Sequence, residues 1–282
     1  MYSQEITRRH RTAFVIAIDQ SGSMQEKVCF GRHEMSKAAA VARITNSLLT
    51  ELVDRSRRTD GVRNYYDVAV VGYSGDEARM LLDEEGFIAI DRLARRQPPC
   101  ETLYSEETLP DGTALLAGHS VRQWLLPKAA GKTPMYEALL RDLLGEWCAN
   151  DSNRDSFPPV VINITDGEAS DCTDDELRRV CTQIRRLGTD DGNVLLFNIH
   201  VSTNSTSPAM VFPMPDELAR ANPYARLLAE CSSIMPEAFD EAVRDFKGAG
   251  AVPPFYGMGY NTSIIELLSI INIGSRSITN IE

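Results

Sequence analysis

Apolar residues along the chain fall into two kinds of run. Four stretches are almost continuously apolar and rich in Val, Ile and aromatic residues: "TAFVIAID" (12–19), "YYDVAVVGYS" (65–74), "PPVVINITD" (158–166) and "NVLLFNIHVS" (193–202). Their length and β-branched content predict strands. The lack of strict polar alternation predicts strands covered on both faces, as in a parallel sheet packed between helices. Other stretches repeat at helical spacing. "EMSKAAAVARITNSLLTELVDRS" (34–56) places Ala38, Val41, Ile44, Leu48 and Leu52 on one helix face. "MYEALLRDLLGEWCAN" (135–150) is similar, with Pro134 suited to the first turn. "TDDELRRVCTQIRRLG" (173–188) opens on a threonine cap and acids, then closes on basic residues and Gly188. Further helices are expected near 216–232, 236–247 and 261–272. Strands alternating with helices predict an α/β fold: an open, doubly wound, mostly parallel sheet flanked by helices.

Two parts depart from that alternation. Residues 76–130 contain "DEEGFIAIDRL" and "DGTALLAGHSVRQWLL", which read as short strands or a hairpin, an insertion or an elaborated sheet edge. After Gly248, "AGAVPPFYGMGYNTS" reads as a Pro/Gly-rich connector to a final apolar helix. The expected organisation is one domain over 12–247, elaborated at 76–130, with a C-terminal extension over 248–282. The N-terminal "MYSQEITRRHR" reads as a polar arm before the first strand, because the apolar stretch behind it is too short for a signal peptide and Asp19 interrupts it.

Charge and composition narrow the function. Forty acidic against 29 basic residues give a net charge of −11, which argues against nucleic acid as the main partner, since phosphate binding needs a basic face. No apolar run reaches the roughly 20 residues of a membrane-spanning helix. Six cysteines, Cys29, Cys100, Cys148, Cys172, Cys181 and Cys231, are widely spaced without a CxxC pair, as expected of reduced thiols in a cytoplasmic protein. Four scattered histidines form no HExxH pattern. "AAGKT" (129–133) ends like a phosphate-binding loop, but GxxxxGK[ST] needs a glycine where the chain has Leu126.

The candidate chemistry lies where strands end. In open α/β sheets, ligands bind outside the carboxyl ends of the strands. The first strand runs into Asp19-Gln20-Ser21-Gly22-Ser23, and a later one into Asp166-Gly167. Thr133 precedes a helix that can face the same edge. Two carboxylates and three hydroxyls are hard oxygen donors, suited to Mg²⁺, Mn²⁺ or Ca²⁺. Each element also has a plain structural explanation. Asp19 to Ser23 could be a turn or cap, Thr133 an N-cap, and Asp166-Gly167 a common turn pair. Glu168, Asp171, Asp174 and Asp175 read as charges complementing a helix N-terminus.

The D-x-S-x-S of Asp19, Ser21 and Ser23, the T-P of Thr133 and the D-G of Asp166, in that order, resemble the metal-ion-dependent adhesion site (MIDAS) of von Willebrand factor type A (VWA) domains. The resemblance covers roughly residues 12–247 and implies a Rossmann-like VWA fold. By that resemblance, Ser21, Ser23 and Thr133 would ligate Mg²⁺ (or Mn²⁺ or Ca²⁺) directly, while Asp19 and Asp166 would act largely through bound water. "LLAECSSIMPEAF" departs from it, with Ser-Ser where the family often shows glycines. Three neutral hydroxyls leave the ion's charge incompletely neutralised, so an open position should take an Asp or Glu from a protein partner. The expected function is therefore a metal-dependent binding module and not an enzyme. The alternative is a metal-dependent hydrolase or phosphoryl-processing enzyme, for which Lys132 and Glu168 are the adjacent acid or base candidates.

Overall fold

A computed structural model describes residues 2–30, 33–83, 86–108, 114–139, 142–201 and 209–262. Its centre is an eight-stranded sheet. In chain order the strands are β1 (Thr12–Asp19), β2 (Tyr66–Ser74), β3 (Glu77–Met80), β4 (Ile88–Ala89), β5 (Val160–Thr165), β6 (Leu195–Val201), β7 (Met210–Val211) and β8 (Met258–Thr262). The spatial order is β7-β8-β6-β5-β1-β2-β3, with β4 paired to β2. Strands β2, β1, β5, β6 and β8 are mutually parallel. Strands β3, β4 and β7 pair antiparallel at the margins. The sheet is open and mostly parallel, as the apolar runs predict.

Continuous burial of β1 follows from its two covered faces. Phe14, Ile16 and Ile18 point into a core shared with Val41, Ile44 and Leu48 of α1 (Lys37–Arg55). Val15 and Ala17 point the other way, against Met135 and Ala138 of α2 (Met135–Leu139) and Leu177 and Val180 of a later helix. That later helix, Asp174–Ile184, is set by a capping box between Thr173 and Glu176. Removing one such core side chain, Ile16→Ala for instance, would cost about 2–5 kcal/mol.

Several boundaries differ from the sequence-based expectation, each for a local reason. The helix expected from 34 starts at Lys37, because Ser36 caps it and residues His33–Ser36 pair with Lys27–Phe30 as a hairpin. The helix expected over 216–232 is two helices, Pro215–Ala219 and Pro223–Cys231, the second capped by Asn222. The 135–150 helix is found as Met135–Leu139 and Leu143–Ala149, on either side of residues outside the described set. Residues 76–130 hold β3, β4, a short helix and the hairpin Cys100–Thr108/Ala114–Arg122. The polar arm is docked: Ile6 is buried and Tyr2 packs edge-on against Phe157.

The largest correction concerns the C-terminal extension. Residues Met258–Thr262 form β8, between β6 and β7 inside the sheet, so the fold does not end at 247. The helix expected over 261–272 is contradicted at 261–262, which belong to β8; its remainder lies outside the described residues. The Ser-Ser pair is a tie to the sheet. Ser233 N–H donates to the Leu196 carbonyl at 2.8 Å, and Leu196 N–H donates to Ser233 Oγ at 2.9 Å. No helix among the described residues is long and apolar enough to cross a membrane.

Candidate metal site at the sheet switch point

From β1 the chain passes through α1 to β2 on one side, and later re-enters at β5 on the other side of β1. The order of strands therefore reverses between β1 and β5, which opens a crevice at their carboxyl ends. Asp19 ends β1, and Asp166 directly follows β5. Both carboxylates of the candidate set thus flank the switch point.

Asp19 is fully buried. Its Oδ1 accepts from Ser21 N–H at 2.8 Å, while Oδ2 lies 2.9 Å from Thr165 Oγ1. Burial pushes its carboxyl above the usual range; hydrogen bonds from Ser21 and Thr165 oppose this, and the Asp166 charge adds to it. Ser21 begins a tight 3-10 turn, Gly22–Gln25, pinned to the core by the buried Met24. Ser21 Oγ and Ser23 Oγ are 3.1 Å apart, and Ser23 Oγ donates to Asp166 Oδ1 at 2.6 Å. Since the Ser23 proton is committed to Asp166, the Ser21 hydroxyl is the donor to Ser23.

Thr133 enters through its loop. Gly22 N–H donates to the Gly131 carbonyl at 2.9 Å, and Ala130 N–H to the Gln20 carbonyl at 2.7 Å, binding the 129–133 loop to the first. Ser170 closes the third side: its Oγ accepts from Thr133 N–H at 3.0 Å, and its N–H donates to the Thr133 carbonyl at 2.9 Å. Gly131 is required here, with φ of +80° and a position where a Cβ would lie 2.7 Å from the Gly75 backbone. Asp19, Ser21, Ser23 and Asp166 therefore form one hydrogen-bonded oxygen cluster. Thr133 lies in the loop fastened across it.

The donor set fits a small divalent ion. Ligands about 2.0–2.1 Å from Mg²⁺ in octahedral geometry sit about 2.9 Å from one another along an edge, and the Ser21 and Ser23 hydroxyl oxygens are 3.1 Å apart. Among the described residues no group of three or more His, Cys, Asp and Glu could hold a metal, so any metal chemistry here is of the hydroxyl-rich, hard-oxygen kind.

Three neighbours were not anticipated from the sequence. Lys37, the first residue of α1, is buried, and its Nζ donates to Asp166 Oδ2 at 3.0 Å and to Glu26 Oε2 at 2.6 Å. A cation at a helix N-terminus opposes the helix dipole, and the first turn of α1 contains no acid. That conflict is the signal by which a carboxylate partner could have been foreseen. Thr165 shares one proton between Asp19 Oδ2 and the Gly167 carbonyl, 2.8 Å away. His200, on β6, is stacked on Tyr260 with ring centroids 4.7 Å apart and meets Tyr224 edge-on. Burial lowers its pKa to about 4, against the pull of the Asp166 charge. Its Nδ1 accepts from Asn261 N–H at 3.3 Å, which leaves the ring proton on Nε2.

The oxygen cluster sits between two open hollows. One, of about 520 Å³, is lined by Gly167, Glu168, His200, Tyr224 and Tyr260. The other, of about 830 Å³, is lined by Gln20, Ser74, Glu77, Trp124, Leu126 and Lys128.

No protein-family profile matches the chain, and no curated protein matches it in sequence. Among solved structures, a von Willebrand factor type A protein from Catenulispora acidiphila is similar, at 14% identity and a TM-score of 0.49. The match covers 96% of this chain and 43% of the other, so this chain spans less than half the length of that protein.

Proposed function

We propose that this protein is a binding module that captures an Asp or Glu of a partner protein through a divalent cation, Mg²⁺ or else Mn²⁺ or Ca²⁺. Ser21, Ser23 and Thr133 would hold the ion directly, with Asp19 and Asp166 acting through water. The observation that carries this reading is the pair of Ser21 and Ser23 hydroxyl oxygens at the switch point, 3.1 Å apart as two ligands of one small ion are, with Asp166 hydrogen-bonded behind Ser23. A bound cation would supply one open position and a positive field to an incoming carboxylate. The chain's own residues do the rest. Asp19 orients the Ser21 backbone, Ser23 reaches Asp166, and the Gly22–Gly131 bond keeps the Thr133 loop against both. The hollows on either side give a partner surface to fill around its carboxylate.

A binding role is favoured over hydrolysis because His200 is already committed. Its ring packs against Tyr224 and Tyr260, and its Nδ1 lone pair is taken by the Asn261 N–H. The cysteines Cys100, Cys148, Cys172, Cys181 and Cys231 are free thiols, which fits the proposed cytoplasmic location. Titration calorimetry tests the reading. The wild type should bind one Mg²⁺ or Mn²⁺, and Asp19→Ala and Thr133→Ala should each lose at least about a hundredfold in affinity. Circular dichroism should show both variants folded. Variants that bind metal as the wild type does would remove these residues from any metal site.

A further inference from the structure

Among the described residues, Lys37 is the one buried ammonium in direct contact with the oxygen cluster. Its side chain is 5% exposed and that of Asp166 is 0% exposed, whereas Glu26, which shares the ammonium, is 59% exposed. The two oxygens of Asp166 are divided between partners, with Oδ1 accepting from Ser23 and Oδ2 from Lys37. Lys37 cannot leave easily. Ser36 caps α1 through Ala39 N–H, and Lys37 N–H donates to the Glu26 carbonyl at 2.8 Å.

Charge counting gives this contact a consequence. Asp19 and Asp166 together carry the two negative charges that would balance a divalent cation by themselves. A site balanced in that way has little electrostatic reason to accept a third carboxylate. Lys37 cancels one of the two charges inside the low-dielectric crevice, where unit charges act strongly. Glu26 offsets it only weakly, because its charge is largely screened by solvent. The filled site is then left with about one positive charge.

We propose that Lys37 is a positioning residue that sets the site's selectivity: it weakens the grip on the metal and strengthens the capture of an external carboxylate. This rests on the metal-dependent binding role proposed above and adds an opposed pair of effects. Removing the charge should tighten metal binding and loosen carboxylate binding. A residue that only braces the fold would weaken both.

The test compares Lys37→Gln, which keeps a donor for Asp166 Oδ2 without the charge, with Lys37→Arg, which keeps the charge. Mn²⁺ is titrated by electron paramagnetic resonance, and acetate is then titrated into the Mn²⁺-loaded proteins and read by water-proton relaxation. Lys37→Gln should bind Mn²⁺ roughly tenfold more tightly than the wild type and acetate severalfold more weakly. Lys37→Arg should not show that opposed pair of changes, since the charge remains. Lys37→Gln with unchanged or weaker Mn²⁺ affinity, beside a wild type that binds Mn²⁺, would overturn the role of Lys37 alone. Absence of Mn²⁺ binding in all three proteins would overturn the metal-dependent reading as well.

Discussion

Asp19 closes β1 and Asp166 follows the neighbouring β5, but their charges are held by different means. Asp19 is surrounded by neutral donors, the Ser21 N–H and the Thr165 hydroxyl. Asp166 meets a hydroxyl on one oxygen and a buried ammonium on the other. Dipoles alone do not fully compensate a desolvated carboxylate, which is why the Asp19 carboxyl is pushed upward. A buried ion pair tolerates burial far better, yet becomes costly once either member is removed. One side of the crevice is therefore under electrostatic strain that a cation would relieve, and the other is already relieved from within.

Neutralising each carboxylate in the metal-free protein separates the two sides most sharply. Asp166→Asn should lower stability by about 3 kcal/mol, because Lys37 keeps only the solvent-exposed Glu26. Thermal and urea unfolding with chelator present would measure it, and an unchanged midpoint would mean that the Lys37–Asp166 pair carries no energy.

The next effect is in pH. The His200 ring has a pKa near 4 in the folded protein against an ordinary 6.5. As pH falls from about 6.5 toward 4, the unfolded chain takes up a proton that the folded one refuses, so stability is lost across that window. The contribution should be about 3 kcal/mol, and His200→Gln should flatten that part of the profile.

Asp19→Asn should give the smallest change, and of opposite sign to Asp166→Asn. Its amide can accept from Ser21 N–H and donate to Thr165 Oγ1, whose proton then goes to the Gly167 carbonyl. Metal-free stability should rise, by less than about 1 kcal/mol. The same substitution removes a charge from the cation site, so Mg²⁺ should stabilise this variant less than the wild type. Loss of stability without metal would show that the Asp19 charge is structurally required.

Much of this architecture can be read from the chain, and the exceptions have physical causes. Strands β1, β2, β5 and β6 are legible because burial on both faces makes them continuously apolar. Strand β8, "MGYNT", is short and half polar, and its place depends on backbone pairing with β6 and β7, which leaves no periodic mark. The oxygen cluster is legible because its members follow strand ends, where topology gathers loops. Lys37 leaves a partial signal, a cation at a helix start with no acid in the first turn, but its partner is not named until Asp166, 129 positions away, is placed beside it. The break at Pro223 carries a visible Asn-Pro signal, which helical spacing on both sides obscures.

The central claim is that Ser21, Ser23 and Thr133 converge on one divalent ion between Asp19 and Asp166. Anomalous diffraction from crystals grown in Mn²⁺ addresses it directly. One Mn²⁺ peak is expected, roughly 2.0–2.3 Å from the three hydroxyl oxygens, with Lys37 still on Asp166 Oδ2. Ordered density for these side chains with no peak among them, or with their oxygens more than about 8 Å apart and beyond the reach of a single ion, would contradict it.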